Sequence, residues 1–174
     1  MDGGPERPTR PSPEQTEHWR AFLRAHAYVS KQLEADLLAQ GQPPLAVYDV
    51  LVQLVEAPGR RLRMTELAEA VLLSRSGLTR MVDRMVRLGY VRREPSPDDA
   101  RGVYAVISDE GVATLRVASR THLQGICDHV VDRLGDEQLT ALGQACRAML
   151  PDQLLDPQPD QQADDQRDPG RSAG

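Results

Sequence analysis

Apolar positions recur at helical spacing along most of this chain. Within residues 14–39, Trp19, Phe22, His26, Val29, Leu33 and Leu37 fall at steps of three and four, the signature of one face of a long amphipathic helix. Gln42, Pro43 and Pro44 end the connection, with a proline suited to the first turn of a second helix whose stripe is Leu45, Tyr48, Leu51, Val52 and Val55. Ala57, Pro58 and Gly59 close that helix. Leu62 and Arg63 fit a very short strand, and Thr65 is placed to cap a short helix over residues 66–71. Ser74 caps the next helix, which runs to Leu88 and stops at Gly89, where a left-handed residue is needed. Residues 90–94 and 102–107 then read as two strands with a Pro- and Asp-rich turn, residues 95–99, between them. Residues 109–134 return to one long helical pattern carrying Leu115, Leu123, Ile126, Val130 and Leu134. A last helix over 136–150 carries Leu139, Leu142, Cys146 and Met149.

Composition sharpens this to a mainly α fold of α+β type, with six helices and a two-stranded hairpin. Of the 174 residues 40% are hydrophobic but only 3% aromatic, and a core of Leu, Val, Ala and Met suits packed helices better than a sandwich. One compact domain is expected over residues 14–150. Residues 1–13, with four prolines, and 151–174, repeating Asp, Gln and Pro, predict a disordered arm and a disordered acidic tail. The tail reads as a solvated extension, an interaction segment being the alternative. No run approaches the ~20 apolar residues of a membrane span, and the N-terminus lacks the apolar segment of a secretory signal, so a cytoplasmic location and no membrane partner are expected. Cys127 and Cys146 are too few for a disulfide framework or a CxxC metal site and read as small core residues.

Charge changes the picture more. The net charge is −5, yet from position 60 to 104 ten arginines face six acids, a local charge of +4; from position 151 onward six aspartates face two arginines. Binding to a polyanion depends on the surface that makes contact, so the global sign does not exclude it.

Helix, turn, helix and hairpin follow one another in the order of a winged helix-turn-helix. On the second helix, Leu78, Val82, Met85 and Leu88 would face inward, leaving Arg75, Ser76, Thr79, Arg80, Asp83, Arg84 and Arg87 outward. Such a helix fits the major groove of B-DNA, where arginine can donate two hydrogen bonds to guanine, and Ser or Thr can reach base edges or phosphates. Gly77 would let the backbone approach closely. A solvated charged face would look the same in isolation; the hairpin decides for DNA. Arg92, Arg93 and Arg101 flank a tip too rich in Pro and Asp for a core element, and a slim arginine-bearing loop suits the minor groove. Asp99 reads as a partner that orients a neighbouring arginine.

In these segments the chain resembles the MarR family of bacterial transcription regulators. The matching pieces are LRMTELAEAV (62–71), SRSGLTRMVDRMVRLGYVRR (74–93) and DARGVYAVISDEG (99–111), where Ile107 and Ser108 replace the family's Leu-Thr pair. The resemblance covers residues 14–150. It implies a homodimer joined through helices at about 14–40 and 109–150, with winged-helix lobes at about 44–107 on a palindromic double-stranded DNA operator. It assigns reading-helix positions from Ser74 to Arg84, including Ser74, Arg75, Ser76, Gly77, Thr79, Arg80 and Arg84, and gives the minor-groove role to Arg101; Arg93 and Asp99 complete the expected DNA-binding set. It also implies a repressor relieved by a small aromatic acid or phenol held in a crevice between the dimer helices and the lobe. Trp19, Arg20, His26 and Tyr48 are the candidates to line that crevice, although His26 reads first as a core histidine and only second as a ligand contact.

Other chemistry is weaker. His122 and His129 lie two helical turns apart, about 10.5 Å, too far to share one ion without another segment. No Ser-His-Asp set, phosphate loop or carboxylate pair can be assembled, so neither an enzyme nor a cofactor is expected. A winged-helix module for a protein or RNA partner is the remaining alternative.

Overall fold

The structure is a computed structural model in which residues 10–96 and 102–151 are described. The expectations for Asp99 and Arg101, and for most of the N-terminal arm and acidic tail, lie outside those residues. The chain divides after Gly135 into two compact units.

The first unit opens with α1 (Pro13–Ala39). Its start falls inside the arm expected to be disordered, because Ser12 and Gln15 cap each other: Ser12 Oγ accepts the Gln15 N–H at 3.1 Å, and Gln15 Oε1 accepts the Ser12 N–H at 2.8 Å. Only Leu33 and Leu37 of α1 are buried, so its N-terminal half is largely exposed. Next comes α2 (Leu45–Glu56), with Pro44 at the cap position and Val47, Tyr48, Val50, Leu51 and Leu54 all buried. The Glu34 carboxylate reaches across from α1 to accept the Leu45 N–H at 2.7 Å, supplying an acceptor that Pro44 cannot.

A turn through Pro58–Arg60 leads into β1 (Arg61–Arg63), then α3 (Met64–Ala70) and α4 (Arg75–Arg87). Helix α3 begins earlier than the Thr65 cap suggests because Glu66 accepts the Arg63 N–H at 3.0 Å. At the end of α4, Gly89 takes φ +78° as expected, but Leu88 is 49% exposed instead of facing inward, since the helix has already closed at Arg87. Strands β2 (Val91–Pro95) and β3 (Val103–Ile107) form the hairpin, and β1 joins it to give an antiparallel sheet in the order β1-β3-β2. Ala105 lies opposite both Leu62 and Arg93.

The expected long helix over 109–134 is shorter. α5 (Asp109–His129) ends where Val130 leaves helical geometry, and a 3-10 turn through Val131–Arg133 follows. The core collects Leu37, the inner face of α2, Leu67, Leu78, Val82, Met85, Val91, Ala105, Ile107, Leu115 and Ala118. Each large side chain buried there contributes about 1.5–3 kcal/mol, which fixes the lobe that presents α4. The second unit contains α6 (Asp136–Met149), which has no buried residue; Leu142, Met149 and Leu150 are exposed. Cys127 is exposed and Cys146 half-buried, so neither is the core residue its type suggested. No helix among the described residues is long and apolar enough to cross a membrane.

Candidate nucleic-acid interface

Helix α4 starts at a well-made cap. Ser74 Oγ accepts the Gly77 N–H at 3.2 Å and lies 3.4 Å from Ser76 Oγ. A Cβ on residue 77 would stand 3.1 Å from Ser74 Oγ, so this glycine makes room for the cap itself. Leu78, Val82 and Met85 are buried beneath the helix, while Arg75, Ser76, Thr79, Arg80 and Arg84 form its exposed face. Thr79 Oγ1 donates to the Arg75 carbonyl at 2.8 Å, and Arg80 Nε lies 3.4 Å from the Ser76 carbonyl, contacts that an approaching phosphate or base edge can displace.

Arg93 is placed differently. From β2 it reaches across to α4, holding Asp83 at 2.9 Å and approaching the Thr79 carbonyl at 3.4 Å. Asp83, an acid on an otherwise basic face, is thereby engaged by an arginine of the hairpin. Arg92 pairs instead with Glu94 on its own strand, at 2.8 Å. The guanidinium groups of Arg61 and Arg63 lie 5.0 and 5.3 Å from the Tyr104 ring centroid, holding β1 against β3. Sequence reading missed this cluster; the alternate-residue spacing of Arg61 and Arg63 was its only signal, and the register that sets Arg63 opposite Tyr104 belongs to the folded sheet.

The candidate crevice residues divide. Trp19 is 54% exposed and stacks on Phe22 at 5.7 Å, with His26 next along the helix at 6.4 Å from Phe22; Arg20 and His26 are exposed on the same N-terminal half of α1. Tyr48 is buried, its ring 4.4 Å from His122 of α5, and these two line a cavity of about 500 Å³ between α2, the end of α3 and α5. Trp19, Arg20 and His26 do not line it. Burial pushes the His122 imidazole below its usual value. Asp49, at the cavity rim, is pushed up by partial desolvation and then by the charge of Glu34. His129 does not share a site with His122; its Nε2 lies 2.7 Å from Asp36 of α1. That contact closes over Gly125, where a Cβ would meet Leu33 at 2.8 Å.

A helix-turn-helix backed by a hairpin whose arginine is tied to the second helix defines a winged-helix protein. The model of the MarR family matches residues 42–102. Sco3205, a MarR family transcriptional regulator from Streptomyces coelicolor solved in complex with DNA, is 36% identical with a TM-score of 0.76, over 85% of this chain and 95% of that one. AbsC, another such regulator from the same organism, is 33% identical with a TM-score of 0.73, over 81% and 95%. The multiple antibiotic resistance protein MarR of Escherichia coli is 29% identical over 86 residues, 49% of this chain. The match spans 60% of the length of that curated relative. The chain belongs to the MarR family, whose members regulate transcription and are not enzymes.

Proposed function

We propose that this chain is a sequence-specific DNA-binding regulator that acts as a cytoplasmic homodimer on a palindromic operator and represses by occupying it. The exposed row Arg75, Ser76, Thr79, Arg80 and Arg84, standing on a helix with a buried Leu78-Val82-Met85 face, carries this reading. Donors in that row match the acceptor-rich edge of guanine and the phosphates beside it. The DNA complex of the similar Sco3205 supports the same use of the fold. Within this proposal Ser74 and Gly77 shape the start of the reading helix, Arg93 fixes the hairpin to it, and Arg101, oriented by Asp99, enters the minor groove.

Exposed apolar side chains on α1 (Trp19, Leu23, Tyr28) and on α6 (Leu142, Met149) support dimerisation, because a solitary chain leaves them in water. Repression is relieved by a small aromatic molecule that binds the DNA-free form more tightly; Tyr48 lines a ligand cavity, while Trp19, Arg20 and His26 belong to the exposed face of α1. Selection of bound duplexes from a random library tests the central claim: recovery of a two-fold symmetric sequence is expected. Absence of any duplex preference would turn the basic face over to an RNA or protein partner.

A further inference from the structure

The cavity that Tyr48 lines has an uneven chemistry. Its walls are mostly apolar, it is also lined by Asp49 and Gln53, and among the described residues no lysine or arginine lines it. Opposite Tyr48 stands His122, whose Nδ1 is buried without a hydrogen-bond partner among the described residues. Burial disfavours the charged form of that ring, so the wall offers little positive charge. Partial burial first, and then the charge of the Glu34 carboxylate, disfavour ionisation of Asp49. A carboxylate or phenolate entering here would meet like charge on the rim and no cationic partner; a positive group would relieve the repulsion between the two acids.

The remaining walls favour a flat apolar body. Leu123 of α5 is 59% exposed, and Leu72, on the turn between α3 and α4, is 77% exposed. Leu72 also sits at φ +52°, a left-handed conformation that strains a residue carrying a Cβ. Its apolar side chain is thus held out at the cavity by a turn that would suit glycine better.

We propose that this cavity binds an amphipathic organic cation, its ammonium group at Asp49 and its apolar body between Tyr48, His122, Leu72 and Leu123. This names the ligand class for the small-molecule relief proposed above, and the regulatory consequence rests on that reading. It replaces the aromatic acid expected from sequence. Because Leu72 belongs to the helix-turn-helix and His122 to α5, an occupant touches both the turn that aims α4 and the long helix behind it.

Three naphthalene probes of one shape test the idea by calorimetry on the full chain without DNA at pH 7: 1-naphthylmethylamine, protonated there, 1-naphthylmethanol, which is neutral, and 1-naphthylacetate, an anion. The amine should bind about tenfold more tightly than either of the others, and Asp49→Asn should erase that margin while circular dichroism shows the fold retained. Equal or tighter binding of the acetate, equal binding of amine and alcohol, no binding of the amine, or an undiminished margin in Asp49→Asn would each overturn the proposal. Duplex selection without any probe judges the regulator reading separately. If selection fails, that reading falls while the calorimetry still decides the cation site.

Discussion

Ser108 donates its hydroxyl to the Gly89 carbonyl at 2.6 Å, and the same oxygen accepts the Gly111 N–H at 3.0 Å. One side chain therefore caps α5 and ties it to the exit of α4. The neighbouring backbone tightens the junction, since the Ser108 N–H donates to the Tyr90 carbonyl at 3.0 Å. A Cβ on residue 111 would overlap that same Tyr90 oxygen and crowd Ile107.

Ser108→Ala should lower stability by about 1 kcal/mol, the usual worth of such a cap. Gly111→Ala should cost more, on the order of 3 kcal/mol, because rigid backbone has to move. Urea unfolding of the two variants gives the comparison. A Gly111→Ala protein as stable as its parent would mean that α5 can shift away from Tyr90 freely.

On the reading helix, Arg80→Ala should weaken operator binding by ~1–3 kcal/mol and relax preference at one symmetric pair of base positions. Arg93→Ala should act differently. Its guanidinium holds Asp83, so its loss should weaken binding to all duplexes alike and release the Asp83 charge toward the DNA. Binding isotherms on single-base operator variants separate the two patterns; base-selective loss in Arg93→Ala would make it a direct reader.

Two titrating groups beside the cavity give stability opposite pH slopes. Asp49 holds its proton more tightly folded than unfolded, so its contribution declines as pH rises from the ordinary carboxylate value of 3.8 through the raised one. Asp49→Asn should therefore raise Tm at pH 7 and flatten this decline. His122 binds its proton less tightly when folded, so its contribution is intact above 6.5 and is lost as pH falls from there toward the lowered value. His122→Gln should flatten the acid side, as read by Tm measured between pH 5 and 8.

The exposed leucine and methionine of α6 bear on assembly. Leu142→Asp combined with Met149→Asp should yield a chain of 19.2 kDa in light scattering, with weaker operator binding because two half-sites are no longer held together. The parent chain should scatter at twice that mass. A monomeric parent would remove the basis for a palindromic operator.

Much of this was legible in the sequence where local rules dominate. Ser74, Gly89 and the period of Leu78, Val82 and Met85 fixed α4 almost to the residue, because capping and helical spacing are short-range. Failures arose where a helix end or a distant partner decides. Leu88 has the right spacing but lies past the helix end. The 109–134 pattern continues through Val130, whose backbone nevertheless departs from the helix. Tyr48 was recognised as a candidate wall, but its partner His122 is more than seventy residues away and carries no periodic signal toward it. The same holds for Arg93, which sequence offered as a DNA-binding arginine of the hairpin and which the fold sets against Asp83.

That pairing has a mechanical consequence. With β2 joined to α4 through the Arg93–Asp83 ion pair and to β3 through the strand ladder, the root of the hairpin and α4 are tied together within one lobe. Thermal bending of the hairpin root against α4 would have to break a charge-assisted contact first. Under the proposed relief of repression, a signal would reach the DNA-facing surface as a displacement of the whole lobe, a change in where the tool is held and not in the shape of the tool.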